Sequence, residues 1–142
     1  MKYDDSEYYF LEFTTDLPTE YGGRHMALFL DWAVRRGLAS APLMQHAEAL
    51  RRGDIAALDL LFDACDGKLT PEDLNDEGNA FARRYYASGE YIEDFVECCE
   101  RGGVIDDSDA AWERLCTRLD ARLRGEPPPP APAPWWAFWR RR

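Results

Sequence analysis

The chain has 142 residues, 46% of them hydrophobic and 13% aromatic, and a net charge of −10 at pH 7. That length carries one domain with a true core, and the charge repels nucleic acid and anionic lipid while it attracts basic proteins. No run approaches the roughly 20 apolar residues that span a bilayer, and the start MKYDDSEYYF is acidic where a secretory signal is basic, so a cytoplasmic protein is expected.

The charge is unevenly spread. Residues 1–126 hold all 27 acids and 14 of the 17 basic residues, whereas residues 127–142 hold Arg140, Arg141 and Arg142 and no acid. Cys65, Cys98, Cys99 and Cys116 lie on predicted helices without C-x-x-C spacing, a pattern of buried reduced thiols rather than a disulfide framework or a zinc site.

In chain order, residues 1–20 mix acids with Tyr3, Tyr8, Tyr9, Phe10, Leu11 and Phe13, which fits a short strand and an extended segment equally well. The step Asp16-Leu-Pro-Thr-Glu reads as a helix entry. From Arg24 to Leu38, Met26, Phe29, Leu30, Ala33 and Val34 recur at helical spacing, and Leu28 and Trp32 widen the stripe until Arg24, Asp31 and Arg35 are left to face water. This is the expected core helix. Gly37 follows it, where a left-handed cap is wanted.

Ser40 is placed to cap a second helix through Arg52, with Leu43, Met44, Ala47 and Leu50 inward. Asp54 caps a third, Ile55 to Cys65, burying Leu58, Leu61, Phe62 and Cys65. Thr70-Pro71-Glu72-Asp73 is a capping-box-like start for a fourth, with Leu74, Phe81, Ala82, Tyr85 and Tyr86 inward. A fifth spans Glu90 to Arg101 with Ile92, Phe95, Val96 and Cys99 inward. Ser108 or Asp107 caps a sixth striped by Trp112, Leu115, Cys116, Leu119 and Leu123. The sum is an all-α fold: five or six short helices round a central buried one, over residues 1–125. The run 126–134, EPPPPAPAP, is an extended proline-rich linker, and residues 135–142 are a disordered Trp/Arg-rich tail.

The segments MKYDD, DLPTEYGGRHMALFLDWAVRRGL and FARRYYASGEYIEDF resemble a family of small acidic bacterial proteins that share a YDD start, an LP-x-E step and an H-hydrophobic-FL-x-W core helix. The resemblance covers about the first hundred residues and implies a fold rather than a chemistry. Small acidic proteins of this kind also stand beside bacterial toxins as immunity partners, so an immunity role is an implied one.

Asp66-Gly67-Lys68-Leu69-Thr70-Pro71-Glu72-Asp73 resembles the second half of a calcium loop. With Gly67 as the turn glycine, however, Phe62 and Ala64 fall where ligands belong, so a capped helix start is expected. A Cys98 or Cys99 nucleophile with His25 as base requires that the fold bring them together. No phosphate loop or catalytic motif is present.

Glu90, Glu93, Asp94, Glu97 and Glu100 follow helical spacing, and Asp106, Asp107 and Asp109 extend the charge. Like charges so spaced cost helix stability, which leaves two readings, a solvated face and a docking face for a basic protein. Two function classes therefore compete. One is a non-enzymatic interaction module, without cofactor or metal, that binds a basic protein such as a toxin. Its tail residues Trp135, Trp136, Phe138, Trp139, Arg140, Arg141 and Arg142 would lie peripherally on the anionic inner membrane. The other is a small enzyme or metal-binding protein, in which His25 and an acid such as Asp31 or Asp5 share a cleft. The missing catalytic motifs favour the first.

Overall fold

The apolar stripe after Gly23 forms helix α1, Arg24–Arg35, and nine of its twelve residues are buried. Met26, Phe29, Leu30, Trp32, Ala33 and Val34 are essentially inaccessible, as the spacing predicts. The computed structural model describes residues 2–5, 23–101 and 104–126. Within these the chain is mainly helical, with two short antiparallel strand pairs. It divides into two compact units, Met1–Glu97 and Cys98–Arg142.

In the first unit the chain leaves α1 through Gly37, whose φ of +73° provides the left-handed turn just past the helix, and the Leu38 amide reaches back to the Ala33 carbonyl. The expected second helix is two pieces, α2 (Ala41–Met44) and α3 (Ala47–Arg52), parted by a turn at Gln45 and His46. Leu43, Ala47 and Leu50 still fall on one buried face, because spacings of four and three carry the stripe across the break.

The third helix starts at Ala57, not at the expected Asp54 cap, and Asp59 accepts from the Ala56 amide. This α4 (Ala57–Asp59) passes into a π turn, Leu60–Ala64. The wider turn rotates the face, so Leu60, Leu61 and Cys65 are buried while Leu58 and Phe62 are half-buried.

Strand β1 (Asp4–Asp5) pairs antiparallel with β2 (Lys68–Leu69), Asp4 opposite Leu69. The Thr70 amide and hydroxyl both donate to Asp73 Oδ2, so the capping the sequence suggests comes from the Asp73 side, and it closes a single 3-10 turn, Pro71–Asp73. The cap of the long helix α5 (Asp76–Tyr85) is Asn75, whose side-chain oxygen accepts from the Gly78 amide at 2.9 Å while its Nδ2 donates to the Gly37 carbonyl. The start of α5 is thereby fastened to the end of α1. At Gly78 an added Cβ would lie 2.3 Å from the Leu38 carbonyl oxygen, so this close approach requires glycine.

Aromatic rings fill the middle of the unit. Phe29 meets Trp32, Phe81, Tyr86 and Tyr91 with centroids 5.0–6.3 Å apart, and Phe81 stacks on Tyr85 as Tyr86 stacks on Tyr91, both at 4.9 Å. Contacts at these separations each add about 0.5–1.5 kcal/mol to simple burial.

The second unit takes in the last residues of helix α6 (Glu90–Cys99), then the pair β3 (Glu100–Arg101) and β4 (Val104–Ile105), then helix α7 (Asp109–Arg124). Ser108 caps α7 as expected, its hydroxyl accepting from the Ala111 amide. Ala111, Leu115, Arg118, Leu119 and Ala121 are buried, and Trp112, Cys116 and Leu123 of the predicted stripe are half-buried. The expected segment from Tyr8 to Phe13, the Asp16–Glu20 entry step, the proline-rich linker and the Trp/Arg tail lie outside the described residues.

Candidate functional site

The polar residue of α1 that matters most is His25, 6% exposed. Its Nε2 lies 2.8 Å from Oδ2 of Asp4, and the Tyr86 hydroxyl donates to that same oxygen at 2.6 Å. The Asp5 amide donates to Asp4 Oδ1, and Tyr91 donates to the His25 carbonyl. An ionised carboxylate only accepts, so the proton of this contact resides on Nε2. Burial by itself raises the Asp4 pKa. The His25 and Tyr86 hydrogen bonds, the His25 charge and the Asp5 amide outweigh it and hold the carboxyl below its ordinary range.

The acid beside His25 is thus Asp4, not the expected Asp31 or Asp5. Asp5 pairs with Lys2 at 2.5 Å. Asp31, expected in water, is buried and bonded to Arg35, whose guanidinium also reaches the Leu50 carbonyl. Burial pushes the Asp31 pKa up, and the Arg35 contact offsets this only in part. What the Asp4 cluster does physically is position chain. With the Tyr3 amide on the Leu69 carbonyl and the Tyr3 hydroxyl on Asn79, it clasps the N-terminal strand onto the helices. In the sequence, an acid doublet beside Tyr3 and a helix-borne histidine about twenty residues later were the available signal.

The predicted acidic face divides into buried and exposed residues. Asp94 is a correction: it is 3% exposed, and the Tyr85 hydroxyl donates to it at 2.6 Å, so it belongs to the core rather than to a docking surface. Ile92 and Val96, expected inward, are instead 39% and 43% exposed. Phe95 and Cys99 are buried as expected, and Tyr91 and Asp94 are buried in place of Ile92 and Val96, because Tyr91 packs against Tyr86 and Phe29 and Tyr85 satisfies the carboxylate. Glu90, Glu93 and Glu97 are exposed as predicted. The outer side of α6 in the first unit is therefore a mixed strip, two branched aliphatic side chains among three glutamates.

In the second unit Asp107 and Asp109 are exposed and Glu100 is half-buried. Asp106 is engaged locally: it accepts from the Ser108 amide and from Arg114, which also donates to the Cys98 carbonyl. Cys98 and Cys99 are buried, the Cys99 thiol against the Ala111 carbonyl.

Cys65, in the first unit, is buried too, and burial with the nearby Asp73 charge and hydrogen bond pushes its pKa up to about 12, far from a reactive thiolate. Along the loop that resembles a calcium site, the Asp66 side chain is 94% exposed and Asp73 is held by Thr70. Among the described residues no three His, Cys, Asp or Glu side chains gather as metal ligands, and no helix is long and apolar enough to cross a membrane. The tail residues Trp135 to Arg142 lie outside the described residues.

A small helical domain, clasped by its own N-terminal strand and bearing an acidic and aliphatic outer strip, is the class of protein these features define. The profile of a family described as a domain of unknown function, DUF7832, matches residues 2–106, and the chain belongs to that family. No curated protein and no solved structure matches the chain.

Proposed function

We propose that the protein is a non-enzymatic interaction module that binds a basic protein partner through the outer strip of α6. The observation that carries this reading is the exposure of Ile92 and Val96 beside Glu90, Glu93 and Glu97. Solubility alone accounts for glutamates but not for branched aliphatics among them, since isolated charge keeps a surface wet without apolar neighbours. A docking strip needs both: carboxylates steer and orient a cationic partner, and the aliphatic side chains supply area removed from water. Immunity to a basic toxin is the most concrete form, in which the glutamates cover arginines and lysines that the toxin uses on its own target.

The test is capture of a partner from the native host by the tagged full chain and by a Glu93→Lys, Glu97→Lys variant. The proposal expects a basic protein with the first, lost with the second and weakened by added salt. Equal capture by both forms contradicts it. Asp94 is left intact, because reversing a buried carboxylate would test folding instead.

A further inference from the structure

We propose that the α6 strip also accepts residues 135–142 of a second copy of this protein, so that the chain associates with itself through its own Trp/Arg segment. This rests on the same strip as the function proposed above, but on a different occupant.

The argument is complementarity between two parts of one sequence. The strip offers Ile92 and Val96, the two exposed large aliphatics of the first unit, with Glu90, Glu93 and Glu97 beside them. Residues 135–142, WWAFWRRR, offer four large aromatics and three arginines without an acid, on a chain whose remaining residues carry all 27 acids. Aromatic and arginine side chains are the types that dominate binding energy at interfaces, and arginine matches carboxylate geometry with two parallel hydrogen bonds. Between body and segment stand residues 127–134, six of them proline. Proline-rich composition of this kind is that of a semi-rigid spacer, which favours presentation of the segment to another molecule. Each copy carries one strip and one segment, so two copies can exchange segments and leave neither unused.

The experiment is sedimentation of the purified full chain over a range of concentrations, at low and high salt. It is run beside a segment variant (Trp135→Ser, Trp136→Ser, Trp139→Ser) and a strip variant (Ile92→Ser, Val96→Ser), each checked by circular dichroism for unchanged helix content. The expected result is a mass that rises with concentration for the full chain, association at least about tenfold weaker for each variant alone, and partial recovery when the two variants are mixed, since one intact strip then meets one intact segment. A Glu93→Lys, Glu97→Lys chain, which leaves the aliphatic pair in place, is expected to lose the salt-sensitive part of the association. A full chain that stays monomeric, or a strip variant that associates as well as the full chain, overturns the proposal. So does a monomeric chain whose segment binds vesicles of anionic lipid. Because purified protein alone is used, failure here leaves capture of a foreign basic partner to be judged separately.

Discussion

Helices α1 and α6 are both amphipathic by pattern, yet one is enclosed on nearly every side and the other is half open. In α1 the apolar residues are so numerous that any rotation buries them, and even Asp31 and His25 are carried inside and satisfied there by Arg35 and Asp4. In α6 two stripes compete at the same spacing, one residue apart. Ile92, Phe95, Val96 and Cys99 form the aliphatic one. Tyr91, Asp94, Phe95 and Cys98 form the other, and the structure buries it. Hydrophobicity alone prefers the first. Ring packing and a hydrogen-bonded carboxylate decide for the second, because a buried polar group with a good partner costs little and Tyr91 fills more space than Ile92.

The contrast can be broken most sharply at Phe29, which touches four rings. Phe29→Ala should cost about 3–5 kcal/mol by chemical unfolding, most of what a domain of this size possesses. A loss below about 1 kcal/mol would mean that α1 is not the centre of the packing. Next in size is Gly78→Ala. Replacing glycine by alanine inside a helix ordinarily gains up to about 1 kcal/mol, but the clash with the Leu38 carbonyl should reverse the sign to a loss of about 1–3 kcal/mol. A gain in thermal midpoint would show that α5 does not approach α1 so closely.

Smaller again is the clasp on the N-terminal strand. Asp4→Asn should cost about 1–3 kcal/mol at neutral pH, the range for breaking a charged hydrogen bond. The pH dependence carries a sign. Asp4 has a folded pKa below its unfolded value of 3.8, so its stabilisation is present above that value and is lost as pH falls through the folded pKa. Asp31 and Asp73 have raised values from burial, so their contribution is greatest at low pH and is lost as pH rises through their folded pKa values. Removal of Asp4 should therefore flatten the acid limb of the stability curve. An unchanged limb in the Asp4→Asn protein would place the N-terminal strand elsewhere.

The central helix, its glycine stop, the inward residues of α5 and the Ser108 cap were all legible, because each rests on local spacing or a local hydrogen bond. The break at Gln45, the π turn at Leu60–Ala64 and the cap at Asn75 were not. Asn75 caps because it also meets Gly37, 38 residues away, and no local rule carries that contact. The Asp4–His25 pair spans 21 residues, and the sequence named the histidine while missing its acid. Of the acidic face, Glu90, Glu93 and Glu97 are exposed as helical spacing predicts, whereas Asp94 is buried because its partner hydroxyl, on Tyr85, lies in another helix.

The orientation of α6 underlies both the strip and every function argued from it. The most direct test compares the urea unfolding of Asp94→Ala with that of Val96→Ser. A buried, hydrogen-bonded Asp94 predicts a loss of about 1–3 kcal/mol, and an open Val96 predicts a change within about 0.5 kcal/mol. A severe loss at Val96 with little change at Asp94 would turn the aliphatic stripe inward and remove the docking strip altogether.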